Sequence, residues 1–241
     1  MLCELTSTHL CYMEHSPQVA VVTCLWPDHV ELHGSVERYV AAKARILAAQ
    51  QPGDLALLGP GCDPLVGIGA ARQLRFEGDP AEAVARALGI DTAAIAAGCA
   101  ADLALPHRFH ELGARDGVRV IDDGMAATPA KSTAALRRLA GERVVLLAGG
   151  HDQAGVHRAG AEVAMLDAAC QAAAACRAVV VFGSAAERLR GRIPGAVVAT
   201  DLEAAIDAGV RLAKVGDVLL LAPMFPLTME ERQSFATRFQ G

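Results

Sequence analysis

A phosphate-binding loop is missing from the sequence. No Gly-x-x-x-x-Gly-Lys-[Ser/Thr] pattern occurs in the 241 residues, and no Gly-Lys dipeptide occurs either. In proteins that carry this loop, its backbone amides and its lysine hold the β- and γ-phosphates of a nucleotide. The residues present therefore exclude a complete triphosphate site of that type.

Aromatic residues, lysine and net positive charge are also scarce. Aromatic side chains make up 4% of the chain, the formal net charge is −5, and lysine occurs only at positions 43, 131 and 214. Few aromatics argue against stacking platforms for single-stranded nucleic acid, and the acidic balance gives no electrostatic footprint for nucleic acid or an anionic membrane. We therefore expect no nucleic-acid partner and no membrane partner.

Signals for export, membrane insertion and paired thiols are absent as well. The seven cysteines form no Cys-x-x-Cys pair, and no basic-then-apolar leader opens the sequence. The most apolar stretch, Val163 to Phe182, is interrupted by Asp167, Gln171 and Arg177 and is too broken to span a bilayer. We expect reduced thiols in a cytoplasmic protein.

Hydrophobic residues make up 53% of the chain, and from about residue 105 they alternate between short β-branched runs and helical periodicity. This alternation predicts an α/β fold, with a Rossmann-like C-terminal domain whose mainly parallel sheet carries helices on both faces. We place this domain at residues 105–241, after a first domain at residues 1–104. The predicted strands are 118–122, 144–148, 178–182, 197–199 and 218–221, and the predicted helices are 129–139, 162–176, 185–189 and 202–213.

The first domain gives weaker signals. The apolar run Val19 to Leu25 predicts a buried strand, and Asp54 to Leu58 predicts a second. Ser35 is suited to cap a helix, whereas residues 60–80 are rich in Gly and Pro and predict irregular structure. Strands that would flank Val19 to Leu25 are not found, so we expect an open sheet edge covered by a homodimer or a heteromer through residues 1–60.

Six segments carry a family resemblance, and they are Glu4 to Leu10, Asp28-His29, Ala41 to Ile46, Leu105 to Glu111, Asp122 to Pro129, and Leu147 to Asp152. In this order along the chain they resemble motifs of the Mur ligase family, and in particular those of its D-glutamate-adding members. Each motif alone is weak, but six in order are specific. The resemblance implies the later part of such an enzyme: a remnant of the central α/β domain, without the N-terminal domain or the phosphate loop, followed by the C-terminal Rossmann-like domain.

The resemblance also implies chemistry: the joining of an amino acid to a carboxylate with ATP and Mg²⁺. It assigns Glu4, His29 and Lys43 to the metals, with Lys43 carbamylated, and it makes Lys43 and His29 the expected catalytic residues. A carbamate is an anion on a long arm, and hard cations take oxygen ligands. Arg108 and Asp123 would hold the nucleotide, the aspartate through ribose hydroxyls. Without the resemblance, Lys43 on a solvated helix face and His29 beside a helix cap are the simpler interpretations.

The expected amino-acid pocket departs from the family pattern. Met125 stands where these enzymes have a lysine for the amino-acid carboxylate, Gln153 replaces another lysine, and Ala222 replaces a serine. A thioether cannot make the charge-assisted hydrogen bond of a lysine. Met125 and Ala222 are therefore the expected substrate positions, and D-glutamate is a doubtful substrate.

Two classes of function remain open. The first is an amide-forming ligase, in peptidoglycan or specialised metabolism, that acts on an amino acid or carboxylate and needs a partner to supply ATP phosphate binding. The second is a degenerate relative without ATP-dependent ligase activity, which serves as a binding or partner subunit or as a repurposed enzyme. Glu4, His29 and Lys43 favour the first, whereas Met125 and the missing phosphate loop favour the second, because function depends on sites rather than on the fold.

Overall fold

A computed structural model describes residues 2–26, 30–100, 105–152 and 161–240 of the chain. The chain divides into two compact units, Met1–Asp102 and Leu103–Gly241. All seven cysteines are free thiols. Within the described ranges, no helix is long and apolar enough to cross a membrane.

The first unit is built on three parallel strands. The strands are β1 (Val19–Val22), β2 (Leu55–Leu58) and β3 (Arg72–Arg75), and the helices are α1 (Ser7–Leu10), α2 (Val30–His33), α3 (Val36–Ala48), α4 (Pro80–Ala87) and α5 (Thr92–Ala100), with a 3₁₀ turn at Asp63–Leu65. The strand order is β1-β2-β3, so β2 lies in the middle. Its Leu55 is in register with Val19 on one side and with Arg72 on the other.

Helix α3 covers one face of this small sheet. Its Tyr39 and Leu47 are buried in one cluster with Ala56 and Leu58 of β2. The helix begins where the sequence predicts, because the Arg38 N–H donates to Ser35 Oγ at 3.2 Å and satisfies one of the free amides of the first turn.

The prediction that residues 60–80 are irregular is wrong in part. This segment holds the 3₁₀ turn and the edge strand β3, which pairs with β2 over all four of its residues. The side chains of β3 are Arg, Gln, Leu and Arg, and none is fully buried. An edge strand with so few apolar residues has no hydrophobic alternation to reveal it, and only its pairing with β2 defines it.

The second unit contains a six-stranded sheet between two layers of helices. Its strands are β4 (His110–Arg115), β5 (Val118–Asp122), β6 (Val144–Gly149), β7 (Ala178–Phe182), β8 (Val197–Val198) and β9 (Val218–Met224), and its helices are α6 (Pro129–Arg138), α7 (Ala161–Ala174), α8 (Ala186–Arg190), α9 (Leu202–Leu212) and α10 (Met229–Phe239). The strand order is β4-β5-β9-β6-β7-β8. Every pairing is parallel except that of β4 with β5.

Alternate residues of the central strands enter two separate cores. Leu146 of β6 packs in the core that also holds Leu166 of α7, whereas Leu147 packs in the core that holds Ile206 of α9 and Phe235 of α10. This alternation is the period of two that a strand buried on both faces requires. The predicted α/β fold, a mainly parallel sheet with helices on both faces, is confirmed.

Two elements of the second unit were not predicted. The first is the antiparallel edge strand β4, which is irregular between Glu111 and Gly113 and mostly exposed. The second is α10, although its start has a visible signal. Thr228 and Glu231 form a capping box, in which each side chain accepts a hydrogen bond from the other residue's backbone N–H.

Candidate functional site

Glu4 and Lys43 line one cavity of 640 Å³ in the first unit. Thr23 and Cys24, which follow the carboxyl end of β1, line the same cavity. Ligands of open α/β sheets bind outside the carboxyl ends of the strands. The structure thus brings together two of the three residues predicted for the metal site, and the third, His29, lies outside the described residues.

The side chains of Glu4 and Lys43 are not committed to ion pairs with other described residues. Glu4 is exposed, and Lys43 is half-buried with its Nζ 5.9 Å from the centroid of the Tyr39 ring. A cation over an aromatic face is stabilised by the ring quadrupole. Both groups are therefore available to a ligand in the cavity.

A half-buried contact holds the segment after Glu4 against the helix that carries Lys43. His33 Nε2 lies 2.9 Å from Ser7 Oγ, and the His33 ring meets Tyr39 edge-on at 5.5 Å between centroids. Ser7 belongs to α1, His33 to α2 and Tyr39 to α3, so the three helices share one cluster. Neither Ser7 nor His33 has a role that the sequence predicts, because hydrogen bonding between distant segments leaves no local pattern.

The donors in this cavity fit Mg²⁺ only if Lys43 is modified. An ammonium group repels a cation, whereas a carbamate on the same nitrogen adds two oxygen donors beside the Glu4 carboxylate. Among the described residues, no three His, Cys, Asp or Glu side chains are grouped to hold a metal. When bound, Mg²⁺ would neutralise charge on a transferring phosphoryl group.

In the second unit, two loops meet at the carboxyl end of β5. His107 Nδ1 lies 2.7 Å from Asp122 Oδ2, the Phe109 N–H donates to Asp123 Oδ1 at 3.0 Å, and the Met125 N–H donates to the His107 carbonyl at 2.9 Å. Asp122 is fully buried, and its second oxygen accepts from the Gly124 N–H at 2.9 Å. These contacts fix the backbone on both sides of Asp123.

The turn at residues 107–109 is held in a costly conformation. His107 and Phe109 have φ values of 62° and 49°, in the left-handed region that non-glycine residues avoid. Such residues cost about 1–3 kcal/mol each and are concentrated at ligand sites. Arg138 stacks on the Phe109 ring, with its guanidinium carbon 3.7 Å from the ring centroid, and offsets part of that cost.

Asp123 is the titratable group of this edge. Burial raises the pKa of its carboxyl from an ordinary 3.8 to about 6; the Phe109 N–H opposes this rise, the charge of Asp122 adds to it, and Arg138 and Arg108 oppose it. A pKa of about 6 leaves the group mostly ionised at neutral pH. It is then an acceptor for two hydroxyl donors, the chemistry that a ribose offers.

Glycines bring the ends of β6 and β7 into contact. A Cβ on Gly149 would lie 2.3 Å from the Phe182 carbonyl oxygen, so only glycine fits there. His151 and Asp152 follow at the carboxyl edge. His151 Nε2 lies 2.9 Å from Glu231 Oε2, and Asp152 pairs with Arg188 at 3.3 Å. Gln153 lies outside the described residues.

The two predicted substrate positions lie in different surroundings. Met125 is half-buried in the loop after β5. Ala222 is fully buried within β9 and packs in the core that holds Leu220 and Met224. A substrate contact by Met125 remains a prediction, and the methyl group of Ala222 has no exposed surface in the described structure.

Both sheets thus carry polar groups at the carboxyl ends of their parallel strands, and this arrangement defines a Rossmann-like α/β protein. Two family descriptions match the chain: the Mur ligase middle domain over residues 1–63, and the glutamate ligase domain of Mur ligases over residues 107–225. The chain belongs to the Mur ligase family.

Curated relatives support this membership. The chain is 33% identical over 249 residues to the UDP-N-acetylmuramoylalanine–D-glutamate ligase of Rubrobacter xylanophilus, a match that covers 86% of the chain and 54% of that protein. It is 29% identical over 255 residues to the UDP-N-acetylmuramoyl-L-alanine–L-glutamate ligase of Xanthomonas oryzae pv. oryzae, covering 87% of the chain and 53% of that protein. The chain spans about half the length of these curated relatives.

Crystal structures of more distant proteins share the fold. The MurF ligase from Thermotoga maritima in complex with ADP superposes with a TM-score of 0.66 at 18% identity, over 96% of the chain and 63% of that protein. FolC of E. coli in complex with DHPP and ADP superposes with a TM-score of 0.59 at 21% identity, over 92% of the chain and 61% of that protein. At such identities these two matches show the fold alone.

Proposed function

We propose that the chain supplies the metal, nucleotide and amino-acid sites of an ATP-dependent, amide-forming ligase. The phosphate-binding loop of that ligase comes from outside these 241 residues. Both named curated relatives are glutamate-adding ligases, and the nucleotide in the two crystal structures is ADP. Those properties belong to the relatives, and we extend the reaction class to this chain as a proposal.

The observation that carries the proposal is the environment of Asp123. Its carboxyl is half-buried and has a raised pKa, and one oxygen accepts the Phe109 N–H while Arg108 lies on the same loop. The strained turn at 107–109 keeps that oxygen in place, so the other oxygen is free to accept from a ribose hydroxyl. Holding the turn in this conformation lowers the stability of the folded chain, and binding of a nucleotide would explain why the conformation is kept.

The cavity beside β1 has a separate task. Glu4 and a carbamylated Lys43 would hold Mg²⁺ there, and His29 would join them. The residues of this chain would fix the cation and exclude water through the apolar walls of the cavity, while the amine of the bound amino acid attacks an acyl phosphate and inorganic phosphate leaves. With an unmodified lysine, the same cavity would favour an anion.

Binding of ATP to the chain by itself tests whether the phosphate-binding loop comes from outside these 241 residues. Without loop amides, most of the charge-assisted hydrogen bonds to the triphosphate have no donors. We expect calorimetry with Mg-ATP on the purified chain to give a dissociation constant well above about 1 µM. A value at or below the micromolar range contradicts the proposal that the phosphate loop comes from elsewhere.

A chimera tests the reaction class. The part of the Rubrobacter xylanophilus relative that lies outside the match is joined to this chain, and amino-acid-dependent release of phosphate from Mg-ATP is measured. We expect release in the chimera and at least about a hundredfold loss in its Lys43→Ala form. Lys131→Ala, which removes an exposed lysine from α6 of the second unit, is the matched control and keeps the activity.

A second function is favoured by Met125 and by the missing phosphate loop. In that case the chain is a binding subunit or a repurposed protein of specialised metabolism. The same chimera distinguishes the two, because a folded chimera that binds an amino acid but releases no phosphate supports the second function and contradicts the first.

A further inference from the structure

Arg232 is a partly buried cation without an acidic partner. It lies in the first turn of α10, and in the part of the chain that the structure describes its guanidinium pairs with no carboxylate. Its Nε is fully buried and has no hydrogen-bond acceptor. A desolvated guanidinium N–H without an acceptor is costly, and few polar groups in folded proteins are left in that state.

The carboxylates of Glu231 and Asp122, which lie near Arg232, have other hydrogen-bond partners. Glu231 accepts from His151 and from the Thr228 N–H, and Asp122 is occupied by His107 and the Gly124 N–H. These carboxylates therefore do not neutralise the positive charge of Arg232.

The side chain reaches the loop that carries Met125. A Cβ on Gly124 would lie 3.1 Å from Arg232 Cγ and 3.1 Å from Asp122 Oδ1, so the arginine stem packs directly against Gly124. Arg232 Nη1 donates to the Leu227 carbonyl at 3.0 Å, which fixes the plane of the guanidinium. The stem of Arg232 thus packs against the residue that precedes Met125, and the family resemblance gives a lysine at position 125.

Only a weak acceptor covers the unpaired edge of the guanidinium. Arg232 Nη2 lies 3.9 Å from Met229 Sδ, and Met229 is 59% exposed. A thioether sulfur is a poor acceptor, and an exposed methionine changes rotamer easily. The Nε–Nη2 edge is the one that an oxyanion engages with two parallel hydrogen bonds, so a ligand oxyanion can displace this sulfur.

We propose that Arg232 receives a carboxylate of an acidic amino-acid substrate and so determines the specificity of the second unit. The inference rests on the proposed function, and it adds a position for the amino acid of that ligase, beside the loop after β5. It assigns the anchoring charge to α10 in place of the lysine that is absent at position 125. Inorganic phosphate offers the same oxyanion chemistry, so the test separates the two.

The test uses the full 241-residue chain and titrations followed by ligand-observed NMR. The probes are L-glutamate, D-glutamate, L-glutamine and inorganic phosphate. We expect one glutamate enantiomer to bind at least about tenfold more tightly than glutamine. Arg232→Gln removes that preference without changing the affinity for glutamine. Arg232→Lys keeps part of the preference, because the positive charge remains while the bidentate geometry of the guanidinium is lost. Arg238→Gln, on the same helix, is the control and keeps the preference.

Several outcomes overturn the inference. These are a glutamate preference that survives in Arg232→Gln, no binding of either glutamate by the wild type, or an effect of Arg232→Gln on phosphate alone. Melting temperatures of the variants separate a loss of folding from a loss of binding. The titrations need no phosphate release, so failure of the ligase proposal in the chimera is seen independently of failure here.

Discussion

His107 Nδ1 lies 2.7 Å from Asp122 Oδ2, and this contact joins the turn at residues 107–109 to the buried end of β5. The Asp122 side chain is fully buried, and that of His107 is 15% exposed. Because the turn is held in a left-handed conformation, the contact determines whether the Phe109 N–H reaches Asp123. The nucleotide site that we propose in the second unit therefore depends on the pairing of His107 with Asp122.

Replacing His107 should destabilise the second unit. In His107→Ala, Asp122 Oδ2 is left buried with no partner, which costs about 2–4 kcal/mol. Urea unfolding of the purified chain measures the loss. His110→Ala, three residues later on the mostly exposed β4, should change stability by less than about 0.5 kcal/mol. Equal effects of the two substitutions would show that the pair is not a structural anchor.

The Asp123 carboxyl should make stability depend on pH in a defined direction. Its pKa is about 6 in the folded chain against an ordinary 3.8, so the folded state binds the proton more tightly. The contribution of Asp123 to the free energy of unfolding is fully present below pH 3.8 and is lost as the pH rises through about 6. Asp123→Asn, which keeps an acceptor for the Phe109 N–H, should therefore be more stable than wild type at neutral pH, by up to about 3 kcal/mol.

Unfolding in urea at about pH 7.5 and about pH 4 checks this sign. The advantage of Asp123→Asn should shrink at the lower pH. An advantage that is the same at both values would mean that burial does not raise the pKa of Asp123.

Gly149 should tolerate no side chain. A Cβ there would lie 2.3 Å from the Phe182 carbonyl oxygen and 2.8 Å from the Phe182 ring, so Gly149→Ala forces β6 and β7 apart. We expect a loss of at least about 2 kcal/mol in thermal or urea unfolding. Gly98→Ala in α5, where nothing lies within 4 Å of the added carbon, should instead gain about 0.5–1 kcal/mol from helix propensity. If Gly149→Ala loses little stability, Gly149 does not lie as close to Phe182 as the structure shows.

The outer edge of β1 should be covered in solution. Among the described strands, β1 pairs with β2 alone, so one row of its backbone groups is unpaired. Leu2 and Tyr12 of the same unit are 97% and 87% exposed. An open strand edge and exposed apolar side chains in the same unit invite association, so light scattering should show a homodimer at roughly tens of micromolar. A clean monomer at that concentration leaves only a heteromer as the cover and contradicts the homodimer.

The central strands of the second unit were predictable because each is a short apolar run buried on both faces. Val144 to Ala148 and Ala178 to Phe182 are of this kind. In contrast, β3 and β4 lie at sheet edges and carry charged or polar side chains, so their strand conformation depends on the neighbouring strand. Helix α10 was overlooked despite its Thr228 capping box, because its apolar face is narrow and contributes little periodicity.

The candidate site likewise has features that the sequence predicts and features that only tertiary packing shows. The sequence by itself determined the family motifs that contain Glu4, Lys43 and Asp123, and the alternation of strands and helices, because these follow from local residue patterns. Tertiary structure alone decided which distant groups meet: His33 with Ser7, His107 with Asp122, and Arg232 with Gly124. Burial and pairing of a charge are properties of the packed chain, so the raised pKa of Asp123 and the unpaired charge of Arg232 become visible only after folding.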